Sequence, residues 1–319
     1  MRISIALKVA IAAGLLALVL TSAATAAIPG YRVVKGEIPP PNISPPTHFL
    51  GVACEPGEIS LGAGARVSYG TPGVGPFGQI VMNRLVPGVF DGDQDGVTVR
   101  AFEKEGGTPL NWGLRARVVC AEPIAGEDLD LRFESATSSP LFRQITAAEA
   151  KCDTGKKLVG FGAEITNGPG KKPDGEVIID DITPNSTLTG VTVTAFEDGN
   201  GTTANWGLTV WFRCANASAL PGIQRVPTTQ LHESFSWESA VATCPTGKRV
   251  LAAGGDITGP GGVGGDTSGG FGRALMDHID FTSGPLLREE VTVVARKVGG
   301  GPVFNETWSP NAYAICAPV

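Results

Sequence analysis

The chain has little basic character and no basic block. Lys and Arg number 25 against 31 Asp and Glu, a formal net charge of −6 over 319 residues. Nucleic-acid binding needs a basic footprint, so nucleic acid is set aside as a partner. Histidine is scarce, at three residues, and the six cysteines include no C-x-x-C pair, which argues against a cysteine–histidine metal centre. Helix-type periodicity is nearly absent. The apolar run from Val9 to Leu20 falls short of the roughly 20 residues a membrane span needs, and no second run is longer, so the mature chain carries no expected span.

What is abundant points one way. Gly (44), Pro (24) and recurrent Val-Thr-Val runs fit an all-β chain with many turns. Residues Met1 to Ala27 read as a secretory signal peptide: Arg2 and Lys8, then the apolar run, then Ala24-Thr25-Ala26 as a small-x-small cleavage site. Removing Arg2 and Lys8 leaves 23 basic against 31 acidic residues, a net of −8. The expected location is therefore extracellular. Residues 28–47 hold Pro29, Pro39, Pro40, Pro41, Pro45 and Pro46, and read as extended linker or surface wrapping, because proline cannot donate to a sheet ladder.

The remainder divides into three repeats, 48–121, 122–215 and 216–319. Each closes on a tryptophan eight residues before a cysteine: Trp112 and Cys120, Trp206 and Cys214, Trp308 and Cys316. Each opens with Cys-x-x-Gly, at Cys54, Cys152 and Cys244. A glycine three residues after a strand-ending cysteine suits a tight turn at positive φ. Six cysteines allow 15 pairings. The repeats select Cys54–Cys120, Cys152–Cys214 and Cys244–Cys316, separated by 66, 62 and 72 residues.

Ten residues after each opening cysteine lies a strand glycine, Gly64, Gly162 or Gly254. Such a glycine marks a bulge or a close approach, with room for the tryptophan or for a neighbouring sheet. Further strand patterns run from Ile80, Val177 and Leu275, and from Val97, Val191 and Val291. The closing strand alternates, with Trp206, Leu208, Val210 and Phe212 on one face. Each repeat is thus four to five antiparallel strands, arranged as three beads or as a pseudo-threefold, prism-like assembly. The repeated tryptophans are expected in the core.

The third repeat runs Cys244-Pro245-Thr246-Gly247-Lys248-Arg249-Val250 and ends Tyr313-Ala314-Ile315-Cys316-Ala317. This resembles a module of exported actinobacterial proteins that begins Cys-Pro-x-Gly-Lys-x-Val and ends Tyr-Ala-x-Cys-Ala. The other two repeats match more loosely, since the first has Glu55-Pro56 and both lack the Tyr-Ala ending. The resemblance implies an extracellular, disulfide-bonded β module with no catalytic residues to transfer. By architecture alone, three sheets around an axis resemble the β-prism of vitelline membrane outer layer proteins.

Candidate sites are few. Asp91-Gly92-Asp93-Gln94-Asp95-Gly96 matches the first half of a calcium loop, with Phe102 where the twelfth position needs an acid. Asp91, Asp93 and Asp95 are therefore candidate ligands for a structural calcium ion, or else a solvated acidic turn. Trp211 and Trp237 have no repeat equivalents and are the candidate ligand-binding aromatics. Gly265 to Gly270 resembles a protease nucleophile loop, with His278 nearby in sequence but without the rest of a triad. Asp180-Asp181 and Glu289-Glu290 are adjacent acids, expected on opposite faces of a strand. A non-enzymatic surface, matrix or binding role fits best. A glycan-binding lectin is the alternative and a secreted hydrolase the last; a glycan or cell-surface component is the candidate partner.

Overall fold

Three glycines set the turns that start each repeat. Gly57, Gly155 and Gly247 have φ of +88°, +85° and +80°, as the Cys-x-x-Gly pattern predicts. In the computed structural model the described residues are 28–40, 45–70, 75, 77–92, 94–136, 145–167, 175–198, 201–229, 236–258, 274–282, 289–297 and 308–319. The expected signal peptide lies outside them, as do Gly265 to Gly270.

The described chain is all β. The first repeat forms Thr47–Ala53 (β2), Ile59–Tyr69 (β3), Ile80–Asp91 (β4), Gln94–Glu103 (β5) and Trp112–Ala121 (β6). Ahead of them Arg32–Ile38 (β1) is a strand inside the segment expected to be linker. It runs between Pro29 and Pro39 and pairs with β6 only, the edge position that flanking prolines permit. The second repeat forms Asp128–Ala136 (β7), Ile145–Lys151 (β8), Lys156–Asn167 (β9), Val177–Pro184 (β10), Gly190–Glu197 (β11) and Trp206–Asn216 (β12). The third forms Gln224–Thr229 (β13), Trp237–Thr243 (β14), Lys248–Thr258 (β15), Ala274–Thr282 (β16), Glu290–Lys297 (β17) and Ser309–Pro318 (β18).

These strands make three six-stranded antiparallel sheets, and no sheet belongs to one repeat. Sheet I is β1-β6-β3-β16-β17-β14, sheet II is β2-β5-β4-β9-β12-β7, and sheet III is β13-β18-β15-β10-β11-β8. With β1 counted with the first repeat, each repeat gives three strands to one sheet and three to the next, so the repeats interlock around a rough threefold axis rather than standing as beads. One apolar cluster runs through all three sheets.

The expected disulfides form, with Cα–Cα distances of 5.7, 5.8 and 5.7 Å. Cys54 follows β2 of sheet II and joins Cys120 in β6 of sheet I; the other two bridges repeat this relation. Each bridge therefore staples two sheets, in addition to closing a long loop.

The repeat tryptophans are core: Trp112, Trp206 and Trp308 are at most 2% exposed. Trp112 Nε1 donates to Glu103 Oε1 at 2.9 Å, and Trp206 Nε1 to Glu197 Oε1 at 3.0 Å. The second oxygen of each glutamate accepts the backbone N–H of Thr108 or Thr202, both at 3.2 Å. A carboxylate at the end of β5 or β11 thus ties the indole to the loop that follows it. Lys297 occupies this position in the third repeat.

Candidate functional site

The sheets close where strands of different repeats meet. At these seams the ladders are short: Arg84↔Glu164 and Leu85↔Ala163 in sheet II, Ile182↔Gly255 in sheet III, and His278↔Arg66 and Ile279↔Ala65 in sheet I. The strand glycines sit here. A Cβ on Gly162 would lie 2.1 Å from the Leu85 carbonyl oxygen, on Gly254 2.5 Å from that of Ile182, and on Gly64 2.9 Å from that of Ile279. The glycines make room for a strand of the neighbouring repeat, not for the tryptophan.

Each seam also carries a β-bulge, at Asn83, Asp180 and Asp277, where the register skips one residue. A bulge breaks alternation and sets two successive side chains toward one side. This corrects the expectation for Asp180 and Asp181. They do not point to opposite faces; their carboxyl groups hydrogen-bond to each other.

The seams share a frame but differ in chemistry. In sheet III, Asp256 joins Asp180 and Asp181, both at most 7% exposed. Tyr313 Oη donates to Asp256 Oδ2 at 2.5 Å, and Asn311 Nδ2 donates to Asp256 Oδ1. Burial, then the charge of Asp256, pushes Asp181 up to about 7, and burial with the charges of Asp181 and Asp256 raises Asp180 well above the carboxylate range. Both shifts favour a proton shared between the two carboxyls. In sheet II, Glu164 receives Arg84 at 2.5 Å and Arg100 at 3.5 Å, and Arg100 Nε donates to the bulge residue Asn83 at 3.1 Å.

Sheet I gathers the densest set. Asp277, fully buried, accepts the Tyr69 hydroxyl at 2.7 Å, pairs with His278 Nδ1 at 2.7 Å and accepts Arg296 Nε. Burial alone would raise Asp277, but the hydrogen bonds and charges of His278, Arg296 and Tyr69 outweigh it and hold the carboxyl below its usual range. The Arg296 guanidinium lies 4.5 Å from the Phe77 ring centre, 5.7 Å from Tyr69 and 5.9 Å from Trp237. Trp237 stands across from Arg296 on edge strand β14 and is 53% exposed. This arrangement offers an aromatic face beside a fixed cation, which suits binding. The carboxylate that orients His278 is shared with two other donors.

The other candidates fall elsewhere. Trp211 pairs across from Gly162, is half-buried in sheet II and packs near Gly88, so it is not an open platform. Asp95 accepts Arg213 Nη2 at 2.7 Å and Ser60 Oγ at 3.1 Å, which commits its carboxylate to a contact between the first two repeats. Asp91 ends β4 opposite Gln94, and Asp93 lies outside the described residues. Glu289 is buried on Tyr31, Arg249 and the Val250 N–H, whereas Glu290 meets Thr243. The Arg296 cluster comes from four separated segments, and no local motif announces it. One signal was available: Arg296 takes the place of Phe102 and Phe196 in the repeat alignment.

The chain matches no protein-family model, and no curated protein matches it. Among the described residues no helix is long and apolar enough to cross a membrane.

Proposed function

We propose that this is an exported, non-enzymatic binding protein of a cell surface or extracellular matrix, with a glycan as its ligand class. One observation carries the reading. The tryptophans that repeat are buried, whereas Trp237, which has no repeat equivalent, is 53% exposed beside a fixed guanidinium. An exposed indole beside a polar group offers a flat apolar face with a polar edge, the combination that stacks on a sugar ring. Export is supported by the three disulfides, by the signal-like Met1 to Ala27 and by the resemblance to the exported actinobacterial module. A hydrolase has weaker support, because Asp277 anchors Arg296 and Tyr69 as well as His278.

The test is a glycan screen of the mature protein beside Trp237→Ala. Binding by the parent and its loss in the variant, at unchanged melting temperature, is the expected result. Equal binding by both would refute the role of Trp237.

A further inference from the structure

The threefold repetition supplies its own control for surface chemistry. On the outer face of sheet I, the register places Glu37, Arg115, Arg66 and His278 in one row across four strands. The next row holds Lys35, Arg117 and the bare Gly64, with Asp280 beyond the glycine. Arg117 reaches over Gly64 to pair with Asp280, which also lies 3.7 Å from Arg66. Arg115 pairs with Glu37 at 2.6 Å.

Lys35, Arg66, Arg115 and Arg117 are four cations set against two carboxylates, Glu37 and Asp280, an excess of two positive charges in a chain whose net is −6. Burial first, with the neighbouring Arg115 and Arg117, lowers the Arg66 guanidinium, as expected where cations crowd. At the matching positions sheet III has Pro227, Asp256, Asn311 and Tyr313, and sheet II has Leu131, Glu164, Thr209 and Trp211. Neither carries a cation at those four positions, and in sheet II the nearby Arg84 and Arg100 are both drawn onto Glu164, so the fold does not require the sheet I set. A shallow depression of about 360 Å³ lies among Lys35, Gly36, Glu37, Arg115, Ala116 and Arg117.

Resting on the glycan-binding reading above, we propose that the outer face of sheet I takes an acidic polysaccharide. Its carboxylate, sulfate or phosphate groups would lie on Lys35, Arg115 and Arg66, and Trp237 would provide a stacking platform at the opposite edge of the same sheet. Lys35 is exposed, and the Arg115 side chain, 41% exposed, holds a Glu37 that is itself 40% exposed, a surface ion pair weak enough for a ligand oxyanion to displace. The four strands β1, β6, β3 and β16 span about 14 Å at the usual strand spacing. That suits a few charged sugar units, whereas duplex nucleic acid needs a longer basic track.

The mature protein would be titrated with dextran sulfate, polygalacturonate, a phosphate-bearing teichoic polymer, neutral dextran and duplex DNA. The expected result is binding to at least one acidic polysaccharide over neutral dextran, weakened by added salt and roughly tenfold weaker in the Lys35→Glu/Arg115→Glu double variant. The preferred polymer identifies the oxyanion. The milder Lys35→Gln/Arg115→Gln pair repeats the test if the reversal unfolds the protein. Acidic polymers binding no better than dextran, an unaffected double variant, or equally tight DNA binding would each overturn the inference. Neutral-glycan binding that needs Trp237 but not Lys35 or Arg115 would overturn it while leaving the earlier reading intact. No binding to any glycan would remove both.

Discussion

Gly162→Ala perturbs the interlocked fold directly at the seam of sheet II. The added methyl would lie 2.1 Å from the Leu85 carbonyl oxygen and 2.6 Å from Pro87 Cδ. Both belong to β4 of the first repeat, and backbone cannot swing aside as a flexible side chain can. The strands must separate where only two register pairs, Arg84↔Glu164 and Leu85↔Ala163, join them. Overpacking of this kind costs about 1–3 kcal/mol, and the upper end applies against backbone. A lost seam hydrogen bond adds about 1 kcal/mol. The reduced unfolded-state entropy of alanine offsets about 0.5 kcal/mol. A net loss of about 3 kcal/mol is expected, or roughly 5 °C in melting temperature for a chain of this length. Urea titration with the disulfides intact reads it. Gly254→Ala and Gly64→Ala, whose closest contacts would be 2.5 and 2.9 Å, should cost progressively less. Gly70→Ala is the control, since its methyl would meet only Pro40, at 3.5 Å. Gly162→Ala within about 0.5 kcal/mol of the parent, or no worse than Gly70→Ala, would refute close approach at the seam.

Replacing Cys152 and Cys214 together with alanine opens a bridge spanning 62 residues and should cost about 4 kcal/mol in urea denaturation; a loss below about 1 would contradict the stapling role. Asp181 rises from 3.8 to about 7, so its contribution is complete below pH 3.8 and is lost as pH rises through 7. Asp181→Asn should therefore leave stability at acid pH near the parent's and raise it by at least about 1 kcal/mol at alkaline pH, measured by urea midpoints; an unchanged pH dependence would contradict the shared proton. Arg213, 4% exposed, faces the partly buried Asp95 and Glu127, and Arg213→Met should cost about 2 kcal/mol by taking the cation from both carboxylates. Because Asp95 is already engaged by Arg213, calcium or a chelator should leave the melting temperature unchanged; a clear rise with calcium would reopen the Asp91 loop.

Much of the fold was legible because its signals are local. Cysteine spacing gave the bridges, alternation gave strands such as β12, and the fixed distance from Trp206 to Cys214 marked the core side. How repeats share sheets was not legible, since a strand reads the same whether its neighbour comes from its own repeat or the next. Gly162 hinted at a close approach without naming Leu85 as the partner. The bulges defeated the period-2 rule at Asp180 and Asp181, because one inserted residue turns two neighbours to one side. The Arg296 cluster was hidden for a different reason. Tyr69, Phe77, Asp277 and Arg296 converge only through the seam between the first and third repeats.

Sheet I carries both Trp237 and the cations Lys35 and Arg115, and is the face proposed to take a glycan. Hydrogen–deuterium exchange of the mature protein, with and without a glycan found by screening, tests it most directly. Added protection is expected across 236–243 and 289–297, which carry Trp237 and Arg296, and none across 145–151 or 190–197 of sheet III. Protection confined to sheet III, or spread evenly over all three sheets, would contradict it.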